Sequence, residues 1–413
     1  MKKILIILTT ISISSLLFAE NWTKWRGPNA NGTSSETTWN PEALLGDPEI
    51  LWEMNVGKGH SQCAVFDEKL YTCGTIKKTT TSDTLFEDIV WCVDAETGDE
   101  IWTFSYPSED ISYPGIRTSP IIEGKKLYTL SSLGDLYCFD ANTGDVNWKK
   151  NLPSDYKIIR PDWGFSGSPV IYKDILLLTG GESGLALNKN NGNLVWCSNT
   201  KIIGGLSSPY LINYKNKTYA IIGNNDKIYC VDVVNGDAKW EYKINSENDP
   251  IYLDGKLFLS GDNRIGCVML QLTDAEPKEL WKTKKFRGGF QNKVIVGDYA
   301  YGFGPVKNKD HLHCISLEDG KLQWTKDMGA HWGALMASNN KLIIINGMGK
   351  VTIAEASPEG LEEISFSNII SMADNKGIPR NRQCHCWIDP IMANGNIYVR
   401  NNYGNLVCID ATL

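Results

Sequence analysis

An internal repeat that ends in tryptophan constrains this fold more than any other feature. One copy reads WCVDAETGDEIW and closes at Trp102, and the next reads YCFDANTGDVNW and closes at Trp148. The closing tryptophans are 41 to 50 residues apart and fall at Trp52, Trp102, Trp148, Trp196, Trp240, Trp281 and Trp324. A period of this length holds four short strands with their turns, which is one blade of a β-propeller.

Each part of a copy predicts a local structure. The alternation around Cys138 is typical of a strand that is partly buried on both faces. The Asp-Ala-x-Thr-Gly segment predicts a tight turn, since Asp and Thr can bond nearby backbone and Gly accepts positive φ. The tryptophan then lies on an outer strand and is predicted to dock against the neighbouring blade. Ahead of these elements, residues 119–130 predict a hairpin that turns at Glu123-Gly124-Lys125.

The two ends of the repeat region complement each other. The last copy stops after Cys408-Ile409-Asp410, while its missing half stands near the N-terminus and ends at Trp52. Pairing them would close the ring and hide two sheet edges. We therefore expect an all-β, eight-bladed propeller over residues 46–413, with four-stranded antiparallel blades and an N-terminal strand that completes the last one.

Residues 1–19 predict a signal peptide. Lys2 and Lys3 form a positive start, Ile4 to Phe18 is apolar with Thr and Ser interruptions, and Ala19 ends an acceptable cleavage site. The alternative is a membrane anchor, for which the apolar run is short. The chain is thus expected to be exported, periplasmic or extracellular, with no transmembrane segment after cleavage. Residues 20–45 form an N-terminal arm whose tryptophans are expected to pack it onto the ring.

Composition excludes one class of partner. The 413 residues carry a formal net charge of −7 and are 22% charged, and no stripe of Lys and Arg occurs. Nucleic-acid binding requires a concentrated basic surface. We therefore expect no nucleic-acid partner.

The chain has 11 cysteines, and most of them fit a packing role. One slot of the repeat, just before its Asp, holds Cys92, Cys138, Cys230, Cys314 and Cys408. A packed strand favours a small apolar side chain there, so buried free thiols are expected. The pairs Cys63/Cys73 and Cys384/Cys386 are the candidates for disulfides, and Cys384-His385-Cys386 also leaves local metal binding open.

The repeat resembles the tryptophan-docking motif of the quinoprotein, or PQQ-like, propellers. That superfamily includes quinoprotein alcohol dehydrogenases and the BamB-like propellers of outer-membrane protein assembly. The opening Asn21-Trp22-Thr23-Lys24-Trp25-Arg26-Gly27-Pro28 resembles the N-terminal signature of BamB-like proteins. The resemblance covers nearly the whole expected mature chain and implies fold more specifically than function.

Two departures bear on function. Quinoprotein alcohol dehydrogenases carry two adjacent cysteines below the cofactor, whereas here Cys384 and Cys386 are separated by His385. Neither the calcium ligands nor the catalytic Asp of those enzymes falls on a matching motif. No catalytic residue is therefore assigned, and PQQ with Ca²⁺ stays an alternative that no motif supports. The expected cleavage site is also not followed by the cysteine needed for lipid attachment.

A binding site is predicted in the central funnel, where loops from successive blades converge. The candidate ligand-binding residues are His60, Gln62, Arg117, Arg160, Asp162, Trp163, Arg287, Gln291, His331, Trp332, His385 and Trp387. His60, His331 and His385 are also candidate metal ligands, since they belong to blades that become neighbours on closure. The arginines of this face, with Arg382, suit an anionic ligand. The alternative is a water-filled channel that these side chains only line.

The resulting prediction is an exported, non-catalytic binding or scaffold protein, with a role in cell-envelope or outer-membrane protein assembly as one setting. Its partner would be a protein, or a small or anionic ligand at the funnel face. The competing hypothesis is a PQQ-dependent dehydrogenase, or another enzyme with its site in the funnel.

Overall fold

The computed structural model of the chain is built almost entirely of β-strands arranged as eight sheets. It describes residues 20–79, 84–109, 115–245, 247–261, 265–288, 290–307, 309–370 and 386–412. Each sheet is an antiparallel blade of four strands, and a short strand of the arm adds a fifth to blade 7. The eight-bladed propeller predicted from the repeat is confirmed.

Within a blade, strands follow one another from the central axis outwards. The N-terminal region supplies two strands, β1 (Thr33–Ser34) and β2 (Ile50–Asn55). Blade 1 comprises β3 (Ala64–Phe66), β4 (Lys69–Thr79), β5 (Thr84–Asp94) and β6 (Glu100–Ser108). Blade 2 comprises β7 (Ile121–Glu123), β8 (Lys126–Leu130), β9 (Asp135–Asp140) and β10 (Val146–Asn151). Blade 3 follows the short helix α1 (Leu152–Tyr156) and comprises β11 (Val170–Tyr172), β12 (Ile175–Leu178), β13 (Leu185–Asn188) and β14 (Leu194–Cys197).

The remaining blades repeat this order. Blade 4 comprises β15 (Tyr210–Tyr214), β16 (Lys217–Gly223), β17 (Lys227–Asp232) and β18 (Ala238–Lys243). Blade 5 comprises β19 (Ile251–Leu253), β20 (Lys256–Ser260), β21 (Cys267–Gln271) and β22 (Lys278–Thr283). Blade 6 comprises β23 (Lys293–Val296), β24 (Tyr299–Val306), β25 (Lys309–Ser316) and β26 (Leu322–Lys326). Blade 7 comprises β27 (Gly333–Ser338), β28 (Lys341–Asn346), β29 (Lys350–Glu355) and β30 (Glu362–Asn368), and blade 8 has β31 (Ile391–Ala393), β32 (Asn396–Arg400) and β33 (Asn405–Asp410).

The ring is closed by the two ends of the repeat region. Strand β2 pairs antiparallel with β33 as the outermost strand of blade 8, and Trp52 lies opposite Cys408. The N-terminal strand therefore completes the last blade as predicted. This ladder lies within blade 8 and joins the N-terminal strand to the C-terminal strand, which closes the ring.

The repeat tryptophans connect each blade to the next. The indole nitrogen of Trp52 donates to the Ala95 carbonyl at 3.1 Å, and that of Trp102 donates to the Ala141 carbonyl at 2.9 Å. The turn glycine lies directly beneath the ring, because a Cβ on Gly98 would stand 2.7 Å from the Trp52 indole. The turn thus requires Gly both for its positive φ and for this close approach.

The core consists of apolar layers between blades, with no single centre. Strand β9 shows why, since Tyr137 and Phe139 pack in one layer while Leu136 and Cys138 pack in the next. All four side chains are buried. Both faces of a central strand are covered, which explains the continuous apolar runs of the sequence.

The predicted disulfide between Cys63 and Cys73 is wrong. Both are free, buried thiols, and they pack in different layers, Cys63 in one with Val65 and Cys73 in another with Tyr71. Ala64 pairs with Tyr71 in the ladder, so their side chains share one face of blade 1. Cys73 lies two residues from Tyr71 and faces the same side, whereas Cys63 is adjacent to Ala64 and faces the opposite side. Cys384 lies outside the described residues, so the second pair stays a prediction.

The five cysteines of the repeated slot are confirmed as buried free thiols. The ladder places each one opposite the docking tryptophan of its own blade, as in the pairs Cys92–Trp102 and Cys138–Trp148. A larger side chain at this slot would displace the indole, which accounts for the recurrence of a small one.

The arm of residues 20–45 threads across the ring. The backbone of Trp22 exchanges two hydrogen bonds with Val65 of blade 1, and the Thr23 carbonyl accepts from Ile122 of blade 2. Strand β1 then runs parallel to β27 of blade 7. No helix in the described part of the chain is long and apolar enough to span a membrane.

Candidate functional site

A chain of hydrogen bonds links the starts of the inner strands around the central channel. The backbone N–H of Gln62 donates to the Ser119 hydroxyl, that of Ser119 to Ser168, and that of Ser168 to Ser208, at 2.8–3.0 Å. The series continues when the Ser208 N–H donates to a carboxylate oxygen of Asp249 at 2.7 Å. We call these residues the girdle. Because blades 1 to 5 are each bonded to the next at their innermost points, the loops above the girdle are held in fixed positions.

The girdle continues through blades 5, 6 and 8. The Asp249 N–H donates to Asn292 at 3.3 Å, and the Asn292 amide donates to Asp389 at 3.2 Å. Gln62 completes the circuit with a 3.0 Å bond to the Asp389 carbonyl. Blade 7 has Ala334 at the equivalent position, by register with its hairpin, and so contributes no side-chain oxygen.

The arm is anchored to the girdle from inside the channel. Gln62 accepts from the Trp22 indole and from the Arg26 backbone N–H, each at 3.1 Å. The Trp25 indole donates to Asp249 at 2.5 Å. Arg26 is fully buried and donates to the carbonyl of Lys293 in blade 6. The arm therefore binds blades on opposite sides of the channel and closes its deep end.

Above the arm lies a cavity of about 350 Å³, within the size range of small-molecule sites. Its lining residues come from the arm and from the loops that enter the inner strands. They are Trp25, His60, Arg117, Trp163, Ser166, Leu206, Ser207, Ser208, Glu247, Asp249, Phe290, Gln291, Asn292, Asp310, Trp332, Trp387 and Ile388.

Aromatic side chains dominate one side of this cavity and contact one another across blades. Trp332 and Trp387 have ring centroids 4.9 Å apart, and Phe290 meets Trp387 edge-on at 6.3 Å. Trp163 of the blade 3 loop meets Phe290 of the blade 6 loop at 5.2 Å. These four rings form an aromatic cluster that spans the funnel and leaves Trp163 and Phe290 exposed at its end.

His60 is held by this cluster. The Trp387 indole N–H donates to Nδ1 of His60 at 2.7 Å, so that nitrogen carries no proton in this arrangement. The exposed His331 contacts Trp332 at a ring distance of 6.0 Å, which places two tryptophans between the two histidines.

Carboxylates outnumber cations among the described lining residues. Glu247, Asp249 and Asp310 face a cavity whose one described guanidinium is that of Arg117. Burial lowers the pKa of Arg117 to about 10, and its Nη1 donates to the Ser132 hydroxyl at 3.2 Å. Burial raises the pKa of Asp249, although Arg26 opposes this effect. The cavity is therefore acidic as well as aromatic.

A second layer of ionisable groups lies just behind the lining. Asp389 is buried, and desolvation raises its pKa to about 6. Lys293 is also buried, its pKa is lowered to about 8 by desolvation, and its Nζ donates to the Gln291 carbonyl at 2.6 Å. Burial disfavours the charged form of each group, which explains both directions.

Half of the candidate ligand-binding residues line the cavity, and the others lie elsewhere. The lining residues are His60, Arg117, Trp163, Gln291, Trp332 and Trp387. Gln62 is buried beneath it as part of the girdle. Arg160, Asp162, Arg287 and His331 are exposed and do not line it, and His385 lies outside the described residues. Their role in ligand binding stays a prediction.

The metal site is also still a prediction. No group of three metal-ligating side chains occurs within the described ranges, and one of the three candidate histidines, His385, is not among them. Arg382 is outside them too. Of the four arginines proposed for an anion, Arg117 alone reaches the described cavity wall.

Several lining residues carry no signal in the sequence that distinguishes them. Trp25 reaches the cavity because the arm crosses the channel. There it contacts Asp249, which is 224 residues away in the sequence. Asp310 is the second residue of strand β25 and accepts from the Trp332 backbone N–H and the Gln291 amide, both at 3.2 Å. Its role depends on the length of the β24–β25 hairpin, which the repeat pattern does not specify.

Comparison with known proteins identifies the family. The family model described as outer membrane protein assembly factor BamB matches residues 87–326, which is more than half of the chain. The chain belongs to this BamB-like family of PQQ-like propellers. A curated relative, the outer membrane protein assembly factor BamB of Marinobacter adhaerens, is 22% identical over 150 residues, or 34% of this chain and 35% of that protein. The aligned part thus spans about a third of the relative's length.

Solved structures agree on the BamB-like fold. BamB from Moraxella catarrhalis superposes with a TM-score of 0.60 at 15% identity, over 88% of this chain and 97% of that one. The quinohemoprotein alcohol dehydrogenase ADHIIG from Pseudomonas putida HK5 gives a TM-score of 0.67 at 12% identity, over 95% and 80%. Identities this low show a shared architecture and leave the activity open.

Proposed function

We propose that this BamB-like chain is an exported, non-catalytic binding propeller that holds a small ligand in its funnel cavity. The observation that carries the proposal is the cavity of about 350 Å³ itself, with Trp25 of the arm at its deep end and loops of all eight blades around it. Concave sites lined by aromatic rings and a few polar groups are where small ligands bind. The N-terminal leader predicted over residues 1–19 supports export to the periplasm or beyond.

A cavity-filling variant tests this function. Ser207 is buried and lines the cavity, so Ser207→Phe should occupy the space a ligand needs. Asn142→Phe, in an exposed turn of blade 2, is the matched control. Both proteins and the wild type would be incubated with small molecules extracted from the cell envelope and studied by native mass spectrometry.

We expect the wild type and Asn142→Phe to retain a ligand that Ser207→Phe loses. Circular dichroism and thermal unfolding would verify that all three proteins are folded. Equal ligand retention by all three folded proteins, or none by the wild type, would contradict a funnel-binding function.

A second candidate function is a scaffold in outer-membrane protein assembly. It is favoured by the family match and by the two relatives named BamB. A deletion strain should then contain less folded outer-membrane β-barrel protein than the parent. Complementation by both the wild type and Ser207→Phe would place that role on a surface outside the funnel, and an unchanged level in the deletion strain would reject it.

The charges of the described cavity wall argue against the dehydrogenase alternative. PQQ carries three carboxylates, which need cationic partners, while the described wall presents three carboxylates and one guanidinium. The sequence also has no pair of adjacent cysteines. The described residues therefore do not fit this cofactor. Addition of PQQ and Ca²⁺ to the protein is expected to give neither a bound-quinone spectrum nor dye reduction with alcohols.

A further inference from the structure

We propose that the ligand of the funnel cavity is a small organic cation, an amine or a quaternary ammonium compound. This inference rests on the proposed function and specifies its ligand class. It follows from two features that occur on the same cavity wall, namely the aromatic cluster and the excess of carboxylates.

The aromatic side favours a cation over an anion. Trp163, Phe290, Trp332 and Trp387 line the wall together with Trp25. The face of an aromatic ring is negative, so alkylammonium groups bind there and carboxylates or phosphates do not. Tryptophan provides the strongest such interaction, and four of the five rings are tryptophan.

The carboxylates point to the same charge. Asp310 is partly buried at the cavity wall. The two hydrogen bonds it accepts there come from uncharged donors, the Gln291 amide and the Trp332 backbone N–H. Neither donor neutralises the carboxylate. A cation that enters beside Trp332 would therefore meet a ring and a partly desolvated negative charge at once, where Coulomb attraction is stronger than in water.

The remaining charges do not reverse this balance. Arg26 and Lys293 are both buried behind the wall. Arg26 acts on Asp249 and Asp389. Lys293 acts on Asp389 and Asp310, but burial disfavours its own charged form and lowers its pKa to about 8. Arg117 stands on the blade 2 side and binds Ser132. An anion in this cavity would meet one guanidinium and the repulsion of Glu247 and Asp249, whereas a cation would be attracted by both carboxylates.

The test uses probes that differ mainly in charge. Choline and its uncharged isostere 3,3-dimethylbutan-1-ol have nearly the same shape, butylammonium represents primary amines, and maltose represents neutral polyols. Binding to the full mature protein would be followed by calorimetry and by tryptophan fluorescence, since four tryptophans line the cavity. We expect choline or butylammonium to bind at least about tenfold more tightly than the uncharged isostere.

A charge variant assigns this preference to the wall. Asp310→Asn keeps an oxygen that can accept from Trp332 and Gln291 but removes the charge. Asp298→Asn, in an exposed turn of the same blade, is the matched control. Affinity for the cation should fall about tenfold in Asp310→Asn and stay unchanged in Asp298→Asn, while maltose affinity should not distinguish them.

The outcomes separate the ligand class from the function. Binding of maltose without either cation, or equal binding of choline and its isostere, overturns the cationic class and leaves a funnel-binding function in place. Failure of every probe while the envelope extract still yields a ligand that Ser207→Phe loses also overturns the class alone. If the extract yields no such ligand, the proposed function fails as well.

Discussion

The indole of Trp25 donates a 2.5 Å hydrogen bond to a carboxylate oxygen of Asp249, and this bond ties the N-terminal arm to blade 5. The other carboxylate oxygen of Asp249 accepts from the backbone of Ser208 in blade 4. One side chain therefore serves both the girdle and the arm. The stability of the ring and the shape of the cavity are coupled at this residue.

Substitution of Trp25 by Phe should destabilise the fold by roughly 1.5–3 kcal/mol, because it leaves one oxygen of the partly buried Asp249 carboxylate without its donor. Trp163→Phe, at a tryptophan exposed in the aromatic cluster, should change stability by less than about 0.5 kcal/mol. Urea unfolding followed by circular dichroism would measure both. Equal losses of stability in the two variants would mean that the bond between Trp25 and Asp249 does not stabilise the fold.

The docking tryptophans give a prediction with an internal control. Gly98 and Gly124 both have positive φ, but a Cβ on Gly98 would stand 2.7 Å from the Trp52 indole while one on Gly124 meets nothing within 4 Å. Gly124→Ala should cost about 1–2 kcal/mol for the left-handed backbone alone. Gly98→Ala should cost a further 1–3 kcal/mol or so, since the indole must move.

The same denaturation measurement compares these two variants. The difference between them isolates the contact of Trp52 with the next blade, since the backbone term is shared. If Gly98→Ala were no worse than Gly124→Ala, the close packing of indole on turn would contribute nothing to closure of the ring.

The repeat made the fold predictable, and the reason is physical. Each copy contains its own turn and its own buried strand, and seven of the eight outer strands carry a docking tryptophan, so nearly the same local pattern recurs around the ring. The polar stretch from Lys77 to Asp88 departs from the repeat, and its structure was not evident from sequence. There β4 and β5 continue as a paired hairpin up to Thr79 and Thr84.

The site was predictable only where it follows the repeat. His60, Trp163 and Trp387 lie in loops whose position in the blade is set by register, and these reach the cavity. Trp25 and Asp310 could not be placed, because one depends on where the arm crosses the channel and the other on the length of a hairpin. Cys63 and Cys73 show a similar limit, since proximity in sequence does not reveal that they face opposite sides of a blade.

Loss of one hydrogen bond of the girdle should lower the stability of the whole ring. The Ser168 hydroxyl accepts from the buried backbone N–H of Ser119, and Ser168→Ala leaves that donor without a partner. We expect a cost of about 1–3 kcal/mol. Ser166→Ala in the same loop removes a hydroxyl that donates to the nearby Gly164 carbonyl at 3.3 Å, and it should cost less than about 0.5 kcal/mol. Thermal unfolding of the two variants provides the comparison, and equal melting temperatures would show that the girdle bond is not needed.

Asp88 should make stability depend on pH in a direction opposite to that of most carboxylates. It is buried in blade 1 and accepts from the Thr75 hydroxyl at 2.5 Å. Burial raises its pKa from 3.8 to about 6. The folded protein therefore binds this proton more tightly than the unfolded chain, and the group destabilises the fold as pH rises from about 4 to above 6.

Replacement of Asp88 by Asn removes the titration while keeping an acceptor for Thr75. The free energy of unfolding of Asp88→Asn, measured relative to wild type in urea, should increase between pH 4 and pH 7 by up to about 3 kcal/mol, which is the value of a two-unit shift. Glu87→Gln in the same strand is the control. The hydrogen bond from Lys78 lowers the pKa of Glu87, so the stability of this variant relative to wild type should change little with pH and in the opposite direction. A constant difference in the free energy of unfolding between Asp88→Asn and wild type over this pH range would contradict the prediction. It would mean that burial does not raise the pKa of Asp88.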